Sequence, residues 1–281
     1  MIKVLLPTDF SSTANNAFLY ALHLCKNYNG ELLVLHSYAP HIVSGNISTE
    51  LVDNAQLGNT LNKFDYFKDQ VKMMRTIAEV NNLDQVSVKF IMEEGELVQN
   101  IQEITKRDPL DLVVMGTTGN SGFENKLLGS KTAAVIKNVT IPVLSIPHFA
   151  KFEGIDAIGF TTIYDDEDAK ILHEIIPYTK YSTADIYCIH VNKPNEKKNT
   201  QEIAQWKEQF KDEQIFFIEK NEDNIVKGVF DFIEEHSIDL VSCITRNKSF
   251  FDRLFERSIA EKLSYHKRIP LLTFHEGMFN E

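Results

Sequence analysis

The chain is poor in the residue types that usually mark a metal-bound or redox centre. Its three cysteines, Cys25, Cys188 and Cys243, lie far apart with no C-x-x-C spacing. That excludes a disulfide framework and a thiol-exchange pair, and leaves each cysteine as a small buried hydrophobe. His23, His41, His148 and His173 are scattered without H-x-x-x-H spacing or carboxylates at ligand separation, so a zinc site is not expected. Long apolar runs are also missing. No segment approaches the roughly 20 apolar residues of a membrane span, and the opening run from Met1 to Pro7 is too short for a signal peptide. The expectation is a cytoplasmic protein. Basic charge is scarce as well: 29 Lys and Arg stand against 40 Asp and Glu, a net charge of −11, with most of the acidic excess in the second half. Such a balance disfavours nucleic acid and anionic membranes as partners. Finally, there is no G-x-x-x-x-G-K-[ST], no G-x-G-x-x-G, no G-x-S-x-G and no H-E-x-x-H, which sets aside the enzyme classes built on those loops.

What is present is a soluble α/β pattern written twice. Hydrophobic residues make up 43% of the 281, enough for a substantial core. The apolar run Ile2–Leu6 predicts a strand, and Asp9, Ser11 or Ser12 can cap the helix that follows. Strand Leu32–Leu35 comes next, then a loop with Gly45 and a helix from about Glu50 to Asn81. Its expected buried stripe is Leu57, Leu61, Phe64, Val71, Met74 and Ala78. Strand Val86–Ile91, a helix near 96–106, strand Asp111–Met115, a helix from about Ser130 and strand Pro142–Ile146 complete the first unit. The second half repeats the order, with strands at 155–160, 185–191, 215–218, 239–244 and 270–274, and helices at 166–179, 200–211, 224–236 and 256–264.

Asp111-Leu112-Val113 and Ile141-Pro142-Val143 reappear as Asp239-Leu240-Val241 and Ile269-Pro270-Leu271, both at an offset of 128. A constant offset argues for duplication. The expected fold is therefore two Rossmann-like, doubly wound, five-stranded parallel-sheet domains in tandem, spanning 1–148 and 154–281. His36 and His190 end matching strands and are expected to pack or hydrogen-bond there. The phenylalanines Phe250, Phe251 and Phe255 are expected to be core or interface anchors.

One loop carries the chemistry. Gly116-Thr117-Thr118-Gly119 is followed, after nine intervening residues, by Gly129-Ser130, at the start of a predicted helix. Glycines beyond a strand end permit positive φ and close backbone approach to a ligand. A helix N-terminus offers unpaired amides and a favourable dipole to phosphate oxygens. Ligands of open α/β sheets bind beyond the carboxyl ends of strands, where the winding reverses. That places Pro7-Thr8-Asp9 and Ser37 on the same edge. Taken singly, each feature is ordinary turn and cap chemistry.

Together, Gly116, Gly119, Gly129 and Ser130 match the G-x-x-G, nine residues, G-S pattern of the ATP-binding universal stress proteins, a family the sequence resembles over nearly its whole length. Leu6-Pro7-Thr8-Asp9-Phe10-Ser11, Leu35-His36-Ser37 and Ile141-Pro142-Val143 also look like the family's pattern. The resemblance implies an adenine nucleotide alpha hydrolase-like fold and ATP, with Mg²⁺ or Mn²⁺ on its phosphates, held by Pro7, Asp9, Ser37, Met115, Gly116, Gly119, Gly129, Ser130 and Lys131, with Thr8 between the first two. Ser37 stands where the family often has valine, and Lys131 where a small or branched residue is common. A stress-response regulator with an unidentified protein partner is implied, slow hydrolysis being the most that is expected. The closing strands are expected to pair within the chain as a pseudo-dimer, with a homodimer also open.

At the same offset Ile244 faces Gly116, Asn247 faces Gly119 and Arg257 faces Gly129, while Ser258 is retained. Asp9's counterpart is expected at Thr161 or Thr162. No nucleotide is expected in the second half, where Arg246, Lys248, Arg253 and Arg257 read as a solvated basic loop.

Overall fold

The computed structural model describes residues 1–39, 49–117, 128–193, 200–245 and 269–279. The first half runs β1 (Lys3–Pro7), α1 (Ser12–Asn27), β2 (Glu31–Tyr38), α2 (Thr49–Val80), β3 (Ser87–Glu94), α3 (Leu97–Arg107), β4 (Leu112–Gly116), α4 (Ser130–Asn138) and β5 (Val143–Ile146). The second runs β6 (Ala157–Thr161), α5 (Asp166–Ser182), β7 (Asp185–Asn192), α6 (Thr200–Gln209), β8 (Ile215–Asn221), α7 (Ile225–Glu235), β9 (Leu240–Ile244) and β10 (Leu271–Phe274). The helix expected at 256–264, the phenylalanines at 250, 251 and 255, Gly45 and the basic loop lie outside the described residues.

Strands β1, β4, β5 and β9 are apolar and almost wholly buried, because helices cover both faces of the sheet. On one face, α1, α2, α5 and α6 contribute Phe18, Met74, Ile171 and Trp206 to one core. On the other, α3, α4 and α7 contribute Ile101, Val135 and Phe232 to a second. The strands join into one ten-stranded sheet in the order β3-β2-β1-β4-β5-β10-β9-β6-β7-β8. Each half therefore has the order 3-2-1-4-5, counted within itself, and reverses its winding between its first and fourth strands.

All neighbours are parallel except the central pair. There β10 runs antiparallel to β5, with Leu271 opposite Ser145, Leu272 opposite Leu144 and Thr273 opposite Val143. Thr273 Oγ1 adds a hydrogen bond to the Val143 carbonyl at 3.1 Å. The closing strands of the two halves thus join both sheets into one, as expected from the sequence, and the pairing removes two edges that would otherwise invite association.

The long helix departs from its expected stripe. Phe67, Met74 and Ala78 are buried, but Leu61 and Phe64 are 54% and 43% exposed. Thirty-two helical residues span about 48 Å, whereas the eight-residue strands beside it reach only about 27 Å. A helix this much longer than its neighbouring strands extends past them, so the apolar spacing runs on through Leu61 and Phe64, which stay exposed; the Leu57 side chain lies outside the described residues.

Candidate functional site

The carboxyl ends of β1, β2 and β4 and the N-terminus of α4 meet at the first half's winding reversal. After β1 the chain turns sharply. The Thr8 amide donates to the Leu35 carbonyl at 2.8 Å, the Thr8 hydroxyl accepts from the Phe10 amide at 2.9 Å, and Phe10 takes a left-handed φ of 60°. Asp9 Oδ1 accepts from the Ser11 amide at 3.1 Å, which fixes the carboxylate at the rim. Ser11, not Asp9, caps α1, accepting from the Ala14 amide at 3.2 Å. His36 locks the turn to β2: its Nδ1–H donates to the Thr8 carbonyl at 2.9 Å, and its ring lies 4.7 Å from that of Phe10.

Other residues singled out in the sequence have their own surroundings. Pro7 is buried at the end of β1. Ser37 Oγ accepts from Asn100 Nδ2 at 3.1 Å, a buried partner on α3 that spacing in the sequence did not suggest. The Met115 side chain is buried in the core under α3 and α4; what it can present to the edge is backbone.

Gly116 is not in the positive-φ region. Its missing side chain serves close approach, and the approaching group is α1: a Cβ there would lie 2.8 Å from Thr13 Cγ2 and 3.0 Å from the Thr13 carbonyl oxygen. Thr132, in the first turn of α4, donates its hydroxyl to the Gly116 carbonyl at 2.9 Å, and the Gly129 amide donates to the Thr117 carbonyl. These two bonds tie the start of α4 to the end of β4. Gly129 is the N-cap residue, with φ −69° and ψ 154°, and provides no side-chain cap. Among the described residues, the amides of Ser130, Lys131 and Thr132 find no acceptor. The Ser130 and Lys131 side chains are exposed. Unpaired amides, a hydroxyl and an ammonium at a helix N-terminus make an environment suited to phosphate oxygens. Gly119 lies outside the described residues.

The corresponding edge of the second half shares the frame and differs at the rim. Thr162 repeats Thr8: its amide donates to the Ile189 carbonyl at 2.9 Å, its hydroxyl accepts from the Tyr164 amide at 2.7 Å, and its carbonyl accepts from His190 Nδ1 at 2.7 Å. Tyr164 has a φ of 62°, matching Phe10. This register makes Ile163, not Thr161 or Thr162, the counterpart of Asp9. Ala14 becomes Asp168, a buried carboxylate whose Oδ2 accepts from the Thr162 hydroxyl at 2.7 Å and from the Ile163 amide at 2.8 Å. Burial pushes its pKa up to about 6, against the hydrogen bonds from Thr162 and Ile163, which favour the charged form. Further along, the polar pair Ser37 and Asn100 gives way to Val191 and Gly228, packed so closely that a Cβ on Gly228 would lie 2.8 Å from Val191 Cγ1. Ile244 fills the place of Gly116 and pairs with Phe274 as Gly116 pairs with Ile146. Asn247, Arg257 and Ser258 lie outside the described residues.

Known proteins align with this arrangement. The sequence profile of the Universal stress protein family matches residues 1–147. A universal stress protein of Methanocaldococcus jannaschii is 32% identical over 146 residues, 51% of this chain and 81% of that protein. One from Bacillus subtilis is 27% identical over 144 residues, 51% of this chain and 97% of its own. Over the full length, the structure of a universal stress protein from Archaeoglobus fulgidus superposes with a TM-score of 0.70 at 15% identity, covering 98% of both chains. At that identity the likeness speaks for the fold.

Proposed function

The chain belongs to the universal stress protein family, and from that premise we propose that its first half binds ATP at the edge built by Asp9, Ser37, Gly116 and the start of α4, while its second half is a structural counterpart without nucleotide. In this reading the Ser130 and Lys131 amides, the Ser130 hydroxyl and the Lys131 ammonium hold the phosphate chain, and Gly119 backs it. Asp9 accepts from ribose or base, Ser37 and the Met115 backbone border the adenine side, and Pro7 and Thr8 hold the turn that aims Asp9. A Mg²⁺ or Mn²⁺ ion would be carried on phosphate oxygens, since no group of three or more His, Cys, Asp or Glu among the described residues is placed to hold one.

The observation that carries the reading is the contrast between the halves: one frame, presenting Asp9, Ser37 and the first amides of α4 at the first rim, but tied off by Asp168 at the second, with Ile163 in place of Asp9. A bound nucleotide would change the surface offered to a partner protein. The domains would divide at 1–148 and 154–281, and the intramolecular pairing of β5 with β10 would stand in for a dimer of separate chains.

Calorimetric titration of the full chain with ATP tests it. One saturable site is expected, lost in Gly129→Arg, which copies the residue at the aligned position of the second half. Two sites, or none, would overturn it. A second reading, an interaction module with no nucleotide, draws on the 58% exposure of Ile163, an apolar side chain offered at the second rim. Absence of heat with ATP, ADP and AMP alike would favour that reading.

A further inference from the structure

A cavity lies away from the proposed nucleotide edge, where the two halves join. Helices α1 and α5 flank the seam between β5 and β10, and between them opens a cavity of about 210 Å³. Leu112, Leu144, Leu240 and Leu272 floor it, and Leu24 and Ile175 wall it. All six side chains are apolar, and they come from both halves of the chain. An apolar cavity of about 150 Å³ stays dry and accepts benzene, so this one has room for a ring and a short alkyl arm.

Its rim is acidic. Asp111 and Glu174 border it and are exposed, and among the described residues no lysine, arginine or histidine lines it. The rings of Tyr28 and Tyr178 meet edge to face at 5.9 Å on the same rim. Burial raises the pKa of the Tyr178 hydroxyl, and the charges of Asp111 and Glu174 raise it further, so both carboxylates act at that point. Among the described residues Glu174 has no cationic partner; Asp111 accepts from the backbone amide of Lys3 at 2.7 Å, and its charge acts also on the Lys3 ammonium, whose ion pairs are with Asp108 and Glu31.

We propose that this cavity binds a small arylalkyl or alkyl amine, with the hydrocarbon between the leucines and the ammonium group between Asp111 and Glu174. Apolar burial holds the body of such a ligand, and the two carboxylates select its head. A fatty acid of the same shape would bring a third negative charge to the rim and is disfavoured.

The test is titration of the full chain with 4-phenylbutylamine, 4-phenylbutanol and 4-phenylbutyrate, read by calorimetry and by ligand-observed NMR. The amine should bind about 3- to 10-fold more tightly than the alcohol, as two partly screened ion pairs allow, and the carboxylate more weakly than both. In the double variant Asp111→Asn, Glu174→Gln, in which the asparagine side-chain oxygen can still accept from the Lys3 amide, the amine should fall to the level of the alcohol with the thermal melt little changed. Leu272→Phe, which fills the floor, should weaken all three. Equal binding of the three probes, saturation by none of them, or an unaltered amine affinity in the double variant would each overturn the proposal.

Discussion

Ile163 occupies in the second half the position that Asp9 holds in the first. Each follows a threonine whose carbonyl accepts from a histidine Nδ1, and each precedes an aromatic residue with φ near 60°. The backbone frame has been kept while the group it presents has changed from a carboxylate fixed by the Ser11 amide to an isoleucine that is 58% exposed. A turn conserved in geometry but not in chemistry separates the residues that build the edge from those that use it.

Asp9→Ile should therefore remove nucleotide affinity without unfolding the chain. A hydrogen bond to a charged group contributes about 1.5–3 kcal/mol, so calorimetry should show ATP binding weakened at least tenfold, while the urea midpoint falls only modestly through loss of the bond from the Ser11 amide. Unaltered affinity would take Asp9 out of the site.

Gly116→Ala is expected to act on stability. Its new Cβ would meet the Thr13 backbone as well as the Thr13 side chain, and backbone does not rotate away. Overpacking of this kind costs about 1–3 kcal/mol. Chemical denaturation should show that loss, and Thr13→Ser in the same chain, which removes Cγ2 but keeps the hydroxyl bonded to His148 Nδ1, should recover only part of it, because the Thr13 carbonyl oxygen stays 3.0 Å from the added carbon. A variant as stable as the parent would mean that α1 shifts freely on β4.

Much of this was legible in the sequence because the central strands are covered on both faces and therefore largely apolar, and because the closing strands repeat at one offset. The pairing of β5 with β10 was implied by the resemblance to the universal stress proteins, and it covers two edges those strands would otherwise expose. The reach of the sheet could not be read from α2 alone, whose apolar spacing runs on through Leu61 and Phe64. Asp168 was hidden for a different reason. It closes the run Asp165-Asp166-Glu167-Asp168, which reads as the solvated, acidic first turn of a helix, and only the fold turns its last member inward. Asn100 likewise looked like one polar residue among several on α3 until Ser37 was found within reach.

Ser145 gives a prediction in the opposite direction. Its side chain is fully buried on β5 and its Oγ has no hydrogen-bond partner among the described residues. A buried unsatisfied hydroxyl costs about 1–3 kcal/mol, whereas alanine leaves only a small void. Ser145→Ala should raise the unfolding free energy by about 1 kcal/mol, measured by urea denaturation at pH 7. A loss of stability would mean that the hydroxyl is satisfied in solution.

Asp168 makes part of the stability depend on pH with an unusual sign. Its folded pKa, pushed up to about 6 by burial, lies above the roughly 3.9 of an unfolded aspartate, so between those values the folded chain binds the proton that the unfolded chain has released. The stabilisation is complete below about pH 4 and is lost as pH rises through about 6, a change of roughly 2–3 kcal/mol. Asparagine keeps an acceptor for the Thr162 hydroxyl and the Ile163 amide but does not titrate. The unfolding free energy of the parent minus that of Asp168→Asn should therefore fall steadily from pH 4.5 to 8, a subtraction that cancels the other carboxylates. A difference that is flat, or that grows with pH, would mean that the carboxylate is charged and satisfied in the fold, with its hydrogen bonds outweighing its burial.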